Sequence, residues 1–122
     1  MKYIIRKPFL KIIWLLGVVG IVVLSILPAS QLPEIGEISD KIEHFLAYGA
    51  ISFLGMLAAS TNNHRLWLAM VMIFLGLVLE GVQYLLPTRA FETLDGVANT
   101  LGVLCALGAY FIYVRVRKSF GG

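Results

Sequence analysis

The chain has 122 residues, enough for one domain, with 59% hydrophobic and only 14% charged residues. A soluble domain carries about a quarter charged residues, so this composition excludes an ordinary soluble protein. The net charge of +3 does not indicate a nucleic-acid partner, because the distribution of basic residues matters more than their sum. The single cysteine, Cys105, excludes an internal disulfide and is interpreted as a small packing residue, and no Cys/His spacing predicts a metal site.

Four apolar stretches are long enough, or nearly so, to cross a bilayer, which takes about 20 predominantly apolar residues. They predict transmembrane helices over residues of about 9–27, 42–60, 66–86 and 94–114. Helix is the expected form because an open strand leaves backbone groups unpaired in lipid. The first stretch imitates a signal peptide, but Pro28-Ala29-Ser30-Gln31 lacks the small-x-small cleavage pattern, and we predict a retained helix.

The connections between these helices are short and contain turn-forming residues. These residues are Pro28, Pro33, Gly36, Asn62, Asn63 and Pro87. Short connections place successive helices antiparallel and adjacent. The sequence therefore predicts an all-α fold, a single-domain four-helix transmembrane bundle with antiparallel neighbours over residues 1–122.

The basic residues are distributed unequally between the two ends of the predicted bundle. Eight of the ten lie on the side that holds both termini and the second turn, and the other side has only Lys41 and Arg89. Because cytoplasmic ends of membrane helices collect Lys and Arg, we predict that both termini are cytoplasmic and the acidic connections face outward. The expected localisation is the cell membrane, with several crossings and with membrane lipids as partners.

The second helix opens with a polar face. At about 100° per residue, Asp40, Lys41, His44 and Tyr48 fall within one arc, whereas Glu43 points elsewhere, toward water. Three of these residues also have simpler interpretations, and for His44, at a helix start, it is an interfacial position without a role in a site. Asp40 is a favoured helix cap, with Glu43 three residues later, and the Lys41 side chain can extend to lipid headgroups.

The third helix carries Glu80, Gln83 and Tyr84 on one arc. Glu80 lies about 9 Å below the outer boundary at about 1.5 Å per residue. A carboxylate at that depth costs about 2 kcal/mol or more unless it faces partners, so we expect Glu80 to point into the bundle. Purely structural pairing with Lys41 or Arg89 is the alternative to a functional role.

The fourth helix opens with Asp95 and Asn99, which lie one turn apart on the same face. Small residues allow helices to approach closely, so this face is predicted to pack inside the bundle. The small residues that continue it are Gly102, Ala106 and Ala109. Asp95 alternatively stabilises only the positive end of the helix dipole. Arg89, in the short connection before this helix, is within reach of Asp95.

These polar faces all lie at the outer ends of their helices, so we expect them to form one half-buried pocket. The candidate ligand-binding residues are Lys41, His44, Tyr48, Glu80, Gln83, Arg89, Asp95 and Asn99. The candidate acid–base groups are His44, Asp40, Glu80 and Asp95. No metal and no cofactor is expected.

Three sequence blocks resemble the VanZ-like membrane proteins. The stretch from Asp40 to Tyr48 resembles the family's DKxxHFxxY opening, Glu80-Gly81-Val82-Gln83 resembles its ExxQ, and Arg89 followed by Asp95 to Gly102 resembles its R…DxxxNxxG segment. The blocks occur in the family's order and cover about residues 40–108; the first helix carries no part of the match. The resemblance implies membrane location and a polar site, and a link to teicoplanin resistance through the name-giving member. It implies no particular reaction.

Three functions fit these residues. In the first, the pocket binds a polar or anionic envelope component, either a lipid headgroup or a lipid-linked cell-wall precursor, with Lys41 and Arg89 as cations. In the second, His44 and nearby carboxylates supply acid–base catalysis in a membrane hydrolase or transferase that acts on a lipid-linked substrate. Transport ranks third, because the inner helix halves are almost wholly apolar and a path would need an oligomer or a large motion.

Overall fold

The computed structural model describes residues 2–34, 36–88 and 92–121, which form four α-helices. These are α1 (Lys2–Ile26), α2 (Glu37–Ala58), α3 (Asn62–Leu85) and α4 (Thr93–Gly121), with a 3-10 turn at Ala29–Gln31. The predicted all-α class and the number of helices are confirmed. The helices are longer than the predicted spans. Hydropathy identifies only the apolar segment of each helix, whereas the backbone hydrogen bonds of the helix continue through the charged residues at its ends.

Three of the helices are long and apolar enough to cross a membrane, over Lys7–Ile26, Asn62–Leu85 and Thr93–Gly121. The second helix does not reach that standard, because its charged first turns lie within the helix. They leave a stretch without charged residues or histidine only from Phe45 to Ala58. Three candidate spans are therefore established, and the fourth crossing stays a prediction.

The second helix lies at the centre of the bundle. It contacts each of the other three helices, and its most extensive interface is with α4. His44 contacts Asn99, and further along the same helices Phe53 contacts Tyr113 edge to face. The two helices therefore run in the same direction, with their first turns side by side.

Consecutive helices also contact each other, as the short connections predict. Gly76 of α3 lies against Asn99, and Arg65 near the start of α3 stacks on Tyr110. The earlier residue of α3, Arg65, contacts the later residue of α4, Tyr110, and the later residue of α3, Gly76, contacts the earlier residue of α4, Asn99. These two neighbouring helices are therefore antiparallel. The largest interface nevertheless joins α2 to α4, which are not consecutive.

The α2–α4 interface depends on direct backbone contact at Gly102. A Cβ atom there would collide with the carbonyl oxygen of Phe45 and lie 3.1 Å from the backbone nitrogen of Gly49. Reciprocally, a Cβ on Gly49 would lie 3.3 Å from the carbonyl oxygen of Gly102. Glycine lets the two backbones approach closely, as small residues do between membrane helices.

The predicted packed face of α4 is confirmed except at its last residue. Asp95, Asn99, Gly102 and Ala106 are buried, but Ala109 is exposed. Cys105 is also exposed. Its interpretation as a packing residue is therefore wrong.

The C-terminal end of α2 is closed by Arg65 of α3. Its guanidinium donates to the carbonyl oxygens of Met56, at 2.9 Å, and Ala59, at 2.7 Å, and lies 4.3 Å from the centre of the Tyr110 ring. The last carbonyls of a helix have no partner within the helix, so Arg65 satisfies groups that would otherwise face lipid or water.

Candidate functional site

Polar side chains from α2 and α4 meet at the end of the bundle where both helices begin. We call this set the polar cluster. It consists of Asp40, Lys41, His44, Glu92, Asp95 and Asn99. The parallel arrangement of α2 and α4 places the first turns of both helices at one level, and spacings of three or four residues direct the side chains toward the shared interface.

Lys41 is the centre of the ionic contacts. Its amino group bonds to the carboxylates of Glu92 and Asp95 and lies 3.4 Å from Oδ2 of Asp40. Lys41 precedes the predicted span of 42–60. Partial burial lowers the pKa of its amino group, but the hydrogen bonds to Asp95 and Glu92 raise this pKa by more. The net shift of the pKa is therefore upward. Lys41 is thus a permanent cation held by carboxylates, and the headgroup interpretation is wrong.

His44 is oriented by Asn99. Its Nδ1 lies 3.0 Å from the amide oxygen Oδ1 of Asn99. Because an amide oxygen only accepts hydrogen bonds, Nδ1 is the donor in this contact. Nε2 faces Oδ1 of Asp40 at 3.6 Å and Oδ2 of Asp95 at 3.7 Å, both too long for a direct hydrogen bond.

The two aspartates of the cluster differ in their helical roles. The residue that caps α2 is Gly36, with a φ of 78°, and Asp40 lies inside the helix, where its backbone N–H donates to Gly36. Capping is therefore the wrong interpretation of Asp40. Asp95 does lie in the first turn of α4, where a carboxylate is favoured by the helix dipole, in addition to its bond with Lys41.

Below the cluster, α2 continues with two buried side chains. Tyr48 is 3% exposed and its ring lies against Gly76 of α3. Ser52, one turn further, is fully buried. Sequence reasoning missed Ser52 and Glu92, although Ser52 continues the four-residue spacing of His44 and Tyr48, and Glu92 comes three residues before Asp95.

Two polar residues of α3, Glu80 and Gln83, are buried. Glu80 is 6% exposed, and a Cβ on Gly96 of α4 would lie 3.7 Å from its Cγ, so the prediction that it points into the bundle is confirmed. Gln83 donates from Nε2 to the carbonyl oxygen of Ser25 at 3.1 Å and so joins α3 to α1. Tyr84 is 70% exposed and does not share their buried face. Arg89, the remaining candidate, lies outside the described residues.

A cavity of about 360 Å³ opens beside the polar cluster, between α1 and α2. We call it the α1–α2 pocket. Its apolar lining residues are Ile21, Leu24, Leu32, Pro33 and Ala47. Its polar lining residues are Ser25, Asp40, Glu43, His44 and Tyr48. The pocket therefore combines hydrocarbon-like surface with carboxylate and imidazole groups.

No protein-family model matches this chain, and no curated protein or solved structure matches it either. The chemistry of the polar cluster and the α1–α2 pocket is therefore what a function has to explain.

Proposed function

We propose that this chain is a VanZ-like integral membrane protein that binds a lipid-linked envelope component in the α1–α2 pocket. The observation that carries the proposal is the mixed apolar and polar lining of that pocket. Leu24 and Ala47 offer surface for an acyl or prenyl chain, and Asp40 and His44 offer hydrogen-bonding groups for the headgroup. Binding sites of this kind combine a mostly apolar wall with a few placed polar groups.

The charges of the polar cluster favour a headgroup that donates hydrogen bonds. Among the described residues, the carboxylates of Asp40, Glu92 and Asp95 surround the single ammonium of Lys41. That cation is already paired, and an unscreened phosphate placed here would meet carboxylates of like charge. A hydroxyl- or amine-bearing headgroup is the better match. The link to teicoplanin resistance stays a prediction of the resemblance.

Site-specific photocrosslinking in native membranes tests this proposal. A photoreactive residue at Leu24, in the pocket wall, is expected to capture one lipid-linked species enriched over its membrane abundance. The matched control is Leu85, which is 78% exposed and lies near the same level, because Ser25 is hydrogen-bonded to Gln83. It is expected to capture bulk phospholipid, and Asp40→Asn is expected to reduce capture only at position 24. Identical lipids at both positions would contradict the proposal.

A membrane hydrolase or transferase is the second candidate. The observation that favours it is the imidazole of His44, which lines the pocket and suits acid–base catalysis. Mass spectrometry of the captured species separates the two candidates. A shortened or transferred species captured by the wild-type chain, but not by His44→Gln, would favour the enzyme.

The same proposal includes four crossings with both termini cytoplasmic, which would put the polar cluster at the outer leaflet. Cysteine labelling in intact cells, in a Cys105→Ser background, tests it. Glu34→Cys, in the first connection, is expected to react with a membrane-impermeant maleimide, and His64→Cys only after permeabilisation. Both wild-type side chains are exposed, so burial does not limit either reaction. The reverse pattern would invert the orientation and contradict this part of the proposal.

A further inference from the structure

The carboxylates of Asp40 and Asp95 each divide between two partners. Oδ2 of Asp40 and Oδ1 of Asp95 face the amino group of Lys41. The other oxygens, Oδ1 of Asp40 and Oδ2 of Asp95, face Nε2 of His44. One ligand atom from each of Asp40, His44 and Asp95 lies within 4.8 Å of the other two. These two carboxylate oxygens and Nε2 therefore face one another, and a positive charge at the point between them is favoured.

We propose that Asp40, His44 and Asp95 bind a divalent metal ion, and that zinc is the ion they fit best. Zinc binds imidazole nitrogen and carboxylate oxygen at about 2.0–2.2 Å. Two bonds of that length to atoms 3.6 or 3.7 Å apart enclose an angle of about 120°. This is closer to the tetrahedral angle that zinc prefers than to the right angles of the octahedral sites of magnesium.

The charge of the cluster supports a divalent cation. The three carboxylates of Asp40, Glu92 and Asp95 and the ammonium of Lys41 leave a net charge of −2 among these four side chains. Lys41 lies on the opposite oxygens of both aspartates, so it does not occupy the point that they share with His44. Asp95 is buried and Asp40 lines the α1–α2 pocket, so a fourth coordination position would open toward the pocket.

Asn99 is the positioning residue of this site. Ligand histidines in metal sites donate their second ring N–H to an oxygen, which fixes the tautomer and the ring orientation. The contact between His44 Nδ1 and Asn99 Oδ1 has this form.

The expectation of no metal was based on the spacing of Cys and His residues. That spacing gives no information about a site whose ligands include two aspartates on different helices. The inference is independent of lipid binding, because the ion needs only these side chains.

Zinc titration of the full chain tests the inference. The chain, in a Cys105→Ser background and without a polyhistidine tag, is purified in detergent, stripped with EDTA and titrated with ZnCl₂ by calorimetry. We expect one ion per chain. Asn99→Ala is expected to weaken binding by about 10- to 100-fold, and His44→Gln or Asp95→Asn by more than that, since loss of a ligand exceeds loss of the group that orients it. His64→Gln, at an exposed histidine of α3, is the matched control and keeps wild-type affinity.

Three results would overturn the inference: no stoichiometric zinc binding by the wild-type chain, wild-type affinity in His44→Gln, or an equal loss in His64→Gln. Far-UV circular dichroism verifies that each variant is helical. If the ligand variants do not fold, the absorption spectrum of the wild-type chain loaded with Co²⁺ in place of zinc tests the inference by itself. A four-coordinate Co²⁺ site absorbs strongly, as expected here, whereas the weak absorption of six-coordinate Co²⁺ would mean adventitious binding and contradict the inference.

Discussion

Lys41→Met is expected to lower the free energy of unfolding by about 2–3 kcal/mol, less than the 3–5 kcal/mol typical when one partner of a fully buried ion pair is removed. The expected loss is smaller than that typical value because the ion pair is only partly buried. The side chain of Lys41 keeps 22% of its surface exposed, whereas that of Asp95 keeps only 8%. Without the ammonium, Asp40, Glu92 and Asp95 are left facing one another as like charges. Denaturation in mixed detergent micelles with EDTA present, followed by circular dichroism, measures the change.

The control for Lys41→Met is Lys118→Met, at an exposed residue in the last turn of α4. It is expected to change the stability by less than about 0.5 kcal/mol. The double variant Lys41→Met/Asp95→Asn is expected to lose less stability than the sum of the two single losses, with a coupling energy of about 0.5–3 kcal/mol. Each single change leaves one charge of the Lys41–Asp95 pair without its partner, whereas the double change removes both charges. Equal effects of Lys41→Met and Lys118→Met would mean that the ion pairs contribute nothing to stability.

Gly102→Ala is expected to destabilise the bundle by about 3 kcal/mol, at the upper end of the usual cost of overpacking. The added Cβ would meet the backbone of Phe45 and Gly49, and backbone atoms cannot rotate away as a side chain can. Separation of α2 from α4 would also break the contact between His44 and Asn99. The same micelle denaturation measures the loss of stability.

The control for Gly102→Ala is Gly108→Ala in the same helix. A Cβ on Gly108 would have no atom within 4 Å among the described residues, so this change is expected to be neutral or stabilising by up to about 1 kcal/mol through the better helix propensity of alanine. Similar losses for the two variants would show that α2 and α4 do not depend on close approach at Gly102.

The individual helices and their polar faces could be predicted from the sequence because both depend on local periodicity. Apolar stretches indicated four helices, and the three- and four-residue spacings put Asp40, Lys41 and His44 on one face and Asp95 and Asn99 on another. The cost of a carboxylate in lipid was enough to direct Glu80 inward. Each of these inferences uses residues within a few turns of one helix.

How the polar faces meet was decided only by the tertiary structure. The sequence could not show that α2 pairs most extensively with α4, that Glu92 joins Asp95 on Lys41, or that Gln83 bonds to α1. Those contacts join residues more than 50 positions apart, and they depend on which surfaces pack most closely. Periodicity tells which side of a helix is polar, but packing at Gly102 decides which helix that side faces.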